Sequence, residues 1–290
     1  MSLYLYVTCA MLVDSQRPCT HQTGREVQVM SSNSTRVIAI FNQKGGVGKT
    51  TTALSMSAAL RASGRSVLLV DLDQQANATT AYGAETDGVP TAYDILTRRE
   101  TEAESAIQST AHGDIIPGDL ALASVESEMS SMICRETILS RAMSKVVRGG
   151  AYDYVVIDCP PGMGNVITNA LTTATEVLVP VLVDSYSLNG LEQVMSLVDS
   201  VREYFNPDLR VDGLVICQKE RGQRLTADFD EQVPEIVERF GTHVLETSIR
   251  RCVRVREAQF TEGTIYDYAP DCTSARDYAD LAAEVDAMGA

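Results

Sequence analysis

Arg36-Val37-Ile38-Ala39-Ile40-Phe41-Asn42-Gln43-Lys44-Gly45-Gly46-Val47-Gly48-Lys49-Thr50-Thr51 decides how the rest of the chain is read. The apolar run at 36–40 reads as a buried strand. The small and apolar residues from Ala53 to Leu60 read as a helix. A glycine-rich turn between the two is a phosphate cradle. Glycine lets backbone N–H groups close on an anion with no Cβ in the way, and the helix N-terminus adds partial positive charge. The ordinary pattern G-x-x-x-x-G-K-[ST] has glycine where this chain has Gln43, and an extra lysine, Lys44, precedes Gly45-Gly46. Lys49 is placed to reach the β/γ-phosphates. The Thr50 hydroxyl is placed to ligate Mg²⁺.

Composition narrows the classes. The 290 residues are 44% hydrophobic and 22% charged, enough for a large core in a globular α/β chain. No run approaches the length of a membrane span, and no signal peptide is read in the first residues. Seven scattered cysteines (Cys9, Cys19, Cys134, Cys159, Cys217, Cys252 and Cys272) contain no C-x-x-C. They fit a reducing compartment rather than a disulfide framework or a zinc site. The net charge of −15 is unusual for a nucleic-acid binder, so any DNA contact must come from a local basic patch.

Residues 1–35 show no periodicity and read as a flexible tail, with Met30 as an alternative start; residues 36–290 read as one domain. From Val37 onward strands and helices alternate. Strands are expected at 37–41, 66–71, 114–117, 154–158, 176–181, 211–217 and 243–248. Helices are expected at 48–63, 135–147, 165–174, 188–205, 227–240 and 275–287. That alternation indicates an α/β fold: a mostly parallel, doubly wound sheet with helices on both faces and ligands at the carboxyl ends of its strands.

Two further motifs fall at such ends. Val67-Leu68-Leu69-Val70-Asp71-Leu72-Asp73 closes an apolar strand with two aspartates separated by one residue. One of them is a candidate to orient the attacking water; the plain alternative is a cap for the next turn. Tyr154-Val155-Val156-Ile157-Asp158, followed by Cys159-Pro160-Pro161-Gly162, is a Walker B pattern whose aspartate holds the Mg²⁺ coordination sphere. Cys159 reads as a packing residue.

K-G-G-x-G-K-T, with the extra Lys44, resembles the deviant Walker A motif of the ParA/MinD family of ATPases. Asp71 to Thr79 resembles the ParA segment D-x-D-P-Q-G-N-A-T, with Gln74 and Ala76 in place of the usual proline and glycine. Asp158-Cys159-Pro160-Pro161 is similar to its switch region. Similarity continues through Ile116-Pro117-Gly118, Pro180 to Leu191 (Asp184 standing for a usual glutamate), Val253 to Ala258 and Ile265 to Pro270. It covers roughly residues 36–286.

The resemblance implies an ATPase using ATP and Mg²⁺. The nucleotide is bound by Lys44, Gly45, Gly46, Val47, Gly48, Lys49, Thr50 and Thr51. Catalysis falls to Lys44, Lys49 and Asp73, and the metal to Thr50 and Asp158. Lys44 is implied to reach across an ATP-dependent sandwich homodimer. Slow hydrolysis, stimulation by a ParB-like partner, non-specific DNA binding and a cytoplasmic, nucleoid-associated location complete the implied picture. From Arg210 to Arg256, nine Lys/Arg face eight Asp/Glu. Lys219, Arg221, Arg224, Arg250, Arg251, Arg254 and Arg256 are the DNA-contact candidates, against the plain reading of a solvated or internally paired surface. A MinD-like membrane-cycling ATPase is the alternative, disfavoured by the acidic, weakly apolar C-terminus. A cofactor-biosynthesis or iron–sulfur relative is a third reading, for which no convincing second cysteine ligand is found.

Overall fold

A computed structural model describes residues 35–183, 187–220 and 227–289, without the side chains of 187–189 and 227–232. The expectations for residues 1–34, Asp184, Arg221 and Arg224 lie outside the described residues. The strands are β1 (Arg36–Ile40), β2 (Val67–Asp71), β3 (Gln108–Thr110), β4 (Gly113–Ile116), β5 (Tyr154–Asp158), β6 (Glu176–Leu182) and β7 (Arg210–Cys217). The α-helices are α1 (Lys49–Ala62), α2 (Asn77–Tyr82), α3 (Ala92–Thr97), α4 (Val125–Met129), α5 (Ile138–Arg148), α6 (Asn165–Thr173), α7 (Ser187–Tyr204), α8 (Ala227–Phe240), α9 (Val253–Ala258), α10 (Ile265–Tyr268) and α11 (Thr273–Met288).

The sheet runs β3-β4-β2-β5-β1-β6-β7 and is parallel except for β3, which pairs antiparallel with β4. Successive strand residues face opposite sides, and both sides are covered. Val37, Ala39, Val155, Ile157, Val177 and Val179 enter one core with residues of α3 to α8. Ile38, Ile40, Val156 and Leu178 enter the other with Met56 and Leu60 of α1 and Leu281 and Val285 of α11. Unbroken apolar runs are what such strands require, so the doubly wound architecture expected from the alternation is the one observed.

Register places the chemistry. Ile40 of β1 pairs with Asp158 of β5, and Asp158 pairs with Asp71 of β2. The entrance to the glycine loop and both strand-ending aspartates therefore stand in one row at the carboxyl edge, beside the central strand.

Residues 243–248, expected as the last strand, do not form one. The segment starts alongside β7: Leu214 N–H donates to the His243 carbonyl (2.8 Å), and Leu245 N–H to the Leu214 carbonyl (2.9 Å). Then the Glu284 carboxylate of α11 takes the N–H groups of Glu246 and Thr247 at 2.8 and 3.0 Å. Those donors leave the ladder, and the strand stops. The helix expected from 135 begins at Ile138, after a 3₁₀ turn over Arg135–Thr137. The edge strand β3 and the short helices α2, α3, α4, α9 and α10 had no expectation; segments of three to six residues carry too few repeats to show a period.

Candidate functional site

The loop after β1 is held by its own side chains. Asn42 is buried; its amide nitrogen donates to the Pro180 carbonyl (2.7 Å), and its amide oxygen accepts from the Lys44 N–H (3.0 Å). Gln43 offers its carbonyl to the Gly162 N–H at 3.0 Å, which ties the loop to the turn after β5. Gly46 and Gly48 have φ of 74° and 102°, left-handed values that a side chain would strain. A Cβ on Gly45 or Gly46 would meet nothing within 4 Å, so the concave side of the loop is open.

Lys49 opens α1 and is buried, its ammonium donating to the Lys44 carbonyl at 3.0 Å. Burial holds its pKa below the ordinary lysine value, while Asp158, Cys159 and Asp73 pull the other way. An ammonium this desolvated, aimed into the loop, is suited to bind an anion.

The structure separates the two aspartates after β2. Asp71 is a pin: one oxygen accepts from Asp73 N–H (3.1 Å), the other from the N–H and hydroxyl of Thr79 (2.9 and 2.8 Å). Thr79 Oγ1 accepts in turn from the Gly118 N–H at 2.8 Å. Burial raises the Asp71 pKa to about 6 against those hydrogen bonds. Asp73 accepts from the Gln75 N–H (2.9 Å) and lines the open cleft.

Asp158 is fully buried, and neither carboxylate oxygen has a hydrogen-bond partner among the described residues. Burial, then the neighbouring Asp71 charge, pushes its pKa well above the usual carboxylate value; the nearby Thr50 hydroxyl favours the charged form without completing a hydrogen bond. Two orphaned oxygens beside a hydroxyl and a buried lysine fit a hard cation shared with a phosphate chain. Among the described residues no three His, Cys, Asp or Glu side chains converge as a metal cage. A magnesium ion that keeps water and phosphate ligands needs no such cage. The residues present therefore fit Mg²⁺ at Thr50 and Asp158.

These groups share a cleft of about 570 Å³. Gly45, Gly46, Gly48, Lys49, Thr50 and Asp73 form its floor, and residues from Ile249 to Ile265 form its far wall. Val47 is buried beneath the loop, and Thr51 joins the lining. Lys44 is half-buried at the loop's edge.

The basic candidates occupy varied settings. Arg250 clasps the buried Asp277 through Nε (3.0 Å), and its backbone N–H donates to the same carboxylate (2.8 Å). Arg251 pairs with Glu220, and Arg254 with Glu257 at 2.7 Å. Arg250, Arg251 and Arg256 reach the cleft lining, and Lys219 bridges through its backbone to Ile249 and Arg251. Asn42 and Gln218, whose side-chain amide donates to the Gly46 carbonyl at 2.9 Å, support the loop and were missed from sequence. Only the position of Asn42 next to the glycine loop could have signalled it.

A glycine loop between a central parallel strand and its helix, with a buried lysine and a strand-ending aspartate in one cleft, defines a P-loop nucleotide-binding protein. The family model described as an AAA domain matches residues 35–211. Chromosome partitioning protein ParA of Caulobacter vibrioides is 39% identical over 259 residues, covering 88% of this chain and 96% of that one. Sporulation initiation inhibitor protein Soj of Bacillus subtilis is 39% identical over 257 residues, 88% and 99% of the two chains. The septum site-determining protein MinD of Pyrococcus horikoshii, solved with Mg-ADP, superposes with a TM-score of 0.69 at 26% identity, over 88% of this chain and 97% of that one. Cobyrinic acid a,c-diamide synthase of Mycobacterium smegmatis, solved with ADP and magnesium, gives 0.71 at 32% identity, over 86% and 93%. The chain belongs to the ParA/Soj family of partition-type ATPases.

Proposed function

We propose that the chain is an ATP-hydrolysing partition or positioning protein that binds Mg-ATP in the cleft above Lys49. The observation that carries this reading is Asp158. Its two buried oxygens, unpartnered among the described residues, stand beside Thr50 and across from an open glycine cradle. Magnesium bound there would neutralise phosphate charge, with Thr50 and Asp158 as its protein contacts. Lys49 binds the phosphate chain. Backbone N–H groups of the loop orient it, and Asp73, freer than Asp71, orients the attacking water.

Lys44 acts in trans, reaching the nucleotide of a second copy in an ATP-dependent homodimer. A cation delivered this way stabilises transition-state charge, with effects of about 10³–10⁵ in rate for arginine fingers. Hydrolysis is slow alone and is stimulated by a ParB-like partner. DNA is held non-specifically through phosphate contacts from among Lys219, Arg221, Arg224, Arg250, Arg251, Arg254 and Arg256, and the protein works in the cytoplasm on the nucleoid. Identity of 39% to ParA and Soj supports this role.

ATP hydrolysis with and without DNA, together with the oligomeric state of Lys44→Ala in ATP, tests the reading. Unchanged hydrolysis and dimerisation in that variant defeat the trans role, and absence of ATPase activity under every condition defeats the whole. The likeness to MinD raises a membrane-cycling alternative. Against it, Tyr278, Leu281, Ala282 and Val285 of α11 are already spent on the core. Co-sedimentation with anionic liposomes in ATP would favour the alternative.

A further inference from the structure

Two segments pass each other at the outer wall of the cleft. Arg250 on one is bound to Asp277 on the other, and the Ser274 hydroxyl donates to the Arg250 carbonyl at 2.8 Å. Running out from that pairing, the first segment reaches Cys252 two residues on. The second reaches Cys272 two residues back. The cysteines thus stand opposite each other where α9 and α11 begin, each at the residue preceding its helix. Each thiol is near enough to shift the titration of the other. Cys252 is partly exposed and lines the cleft. Cys272 Sγ accepts from the Ala275 N–H at 3.4 Å.

Their environment differs from that of the other described cysteines. Cys217 is buried, its thiol pushed up to about 12, and burial pushes Cys159 up further still. Cys134 is exposed. Partial burial works against a Cys252 thiolate. The N–H groups of Arg254 and Ser274, the Thr273 hydroxyl and the Cys272 thiol together outweigh it and hold this thiol below the usual range. A thiol with thiolate character, partly exposed and near a second thiol, is the reactive arrangement.

We propose that Cys252 and Cys272 form a dithiol modification site for a two-electron oxidant of the peroxide class, and that the resulting disulfide pins the outer wall of the cleft. The effect on nucleotide rests on the function proposed above; the chemistry of the pair does not. The Cys252 thiolate attacks a peroxide oxygen, the O–O bond breaks, and a sulfenic acid forms as hydroxide leaves and is protonated. Cys272 attacks the sulfenic sulfur, the S–S bond forms, and the sulfenic oxygen leaves as water with the thiol proton. In sum two thiols and one peroxide give one disulfide and two waters.

The bridge would close a ring from 252 to 272 that contains α9 and α10. In the reduced chain that ring is anchored by the small apolar cluster of Ala258, Ile265 and Ala275. Closing it removes conformations in which the wall swings away from the glycine loop, and so slows exchange of a bound nucleotide. A dithiol reductant restores the open ring.

Titration of the full chain with hydrogen peroxide tests this. The intact mass should fall by that of two hydrogens, and a non-reduced digest should yield a Cys252–Cys272 cross-linked peptide. Tryptic cleavage after Arg254 and Arg256, inside the ring, should slow severalfold and recover with dithiothreitol. Cys252→Ser and Cys272→Ser should each abolish these changes, and serine at 272 keeps a cap for α11. Cys134→Ser should leave them intact. A bridge through another cysteine, oxidation of Cys252 without a bridge, or a bridge with unchanged cleavage overturns the site. Release of a fluorescent ADP analogue should slow severalfold on oxidation; unchanged release from a bridged chain overturns the control of the cleft. If the reduced chain binds no nucleotide, the proposed function falls, while the cleavage result still decides the dithiol.

Discussion

Asp71 and Asp73 are separated by one residue and carry the same chemistry, yet their surroundings assign them different work. Asp71 satisfies Thr79 and the Asp73 N–H from a fully buried position. Asp71→Ala should leave those donors unpaired, at a cost of about 1–3 kcal/mol for each, read by chemical denaturation. The Asp73 carboxylate accepts from the Gln75 N–H and faces the cleft. Asp73→Ala should retain nucleotide binding and lower hydrolysis by about 10²–10⁴, the usual span for a group that handles the reacting proton. A variant that hydrolyses ATP normally would remove Asp73 from the mechanism. Both aspartates were legible as a motif from sequence. The family resemblance singled out Asp73 for catalysis, but the pinning of Asp71 was not legible, because it depends on Thr79 of α2 and on Gly118 beyond β4 being brought to it.

Among the elements, α11 does more than cover the sheet. Glu284 draws the N–H groups of Glu246 and Thr247 away from β7, and Asp277 fixes Arg250. The cleft wall that follows, from Ile249 to Ile265, is positioned by these two carboxylates. Glu284→Ala should cost about 1 kcal/mol, and it should speed hydrogen exchange at the Glu246 and Thr247 amides. Unchanged exchange there would mean that water serves those amides equally well. The apolar residues of 243–248 gave a strand-like pattern because Leu245 is buried and Val244 packs partly against the core. Pattern reports burial, and a carboxylate 38 residues away in sequence decided where the ladder ended.

On the scale of the whole molecule, the edge of the sheet opposite the cleft carries a buried charge network. The β6–β7 register shifts between Val177 and Leu178, so that Asp212 is passed over in the pairing and reaches Arg36 (3.0 Å). Arg36 also binds Glu176 at 2.6 Å, and Arg210 pairs with Glu176 from the surface. Burial, then Glu176, raises Asp212 from the ordinary 3.8 to about 7, while Glu176 stays low. The two shifts oppose because neighbouring buried carboxyls disfavour two negative charges, and the proton is held more tightly at Asp212.

The folded chain therefore holds this proton more tightly than the unfolded chain. Its stabilising effect is complete below the ordinary value and is lost as pH rises from about 4 to about 7. Asp212→Asn keeps a neutral donor to Glu176 and should flatten that part of the stability–pH curve. Melting curves across the range check it; an unchanged slope would assign the dependence to other groups. If DNA is held through phosphate contacts as proposed, its retention by a chain of net charge −15 should fall steeply with added salt. Salt-independent retention would exclude phosphate contacts as its basis.

The fold class, the glycine loop and the strand-ending aspartates were readable from the order of residues alone. Those features are local: a phosphate cradle needs its glycines and lysine consecutive, and strands covered on both faces need unbroken apolar runs. How Asp71 is pinned and why Asn42 matters emerge only in the folded chain. Folding also commits Arg250 to Asp277 and sets Cys252 and Cys272 at neighbouring helix starts. Each of these joins residues from separate elements. Such pairings are set by sheet register and helix packing, and no spacing along the chain encodes them.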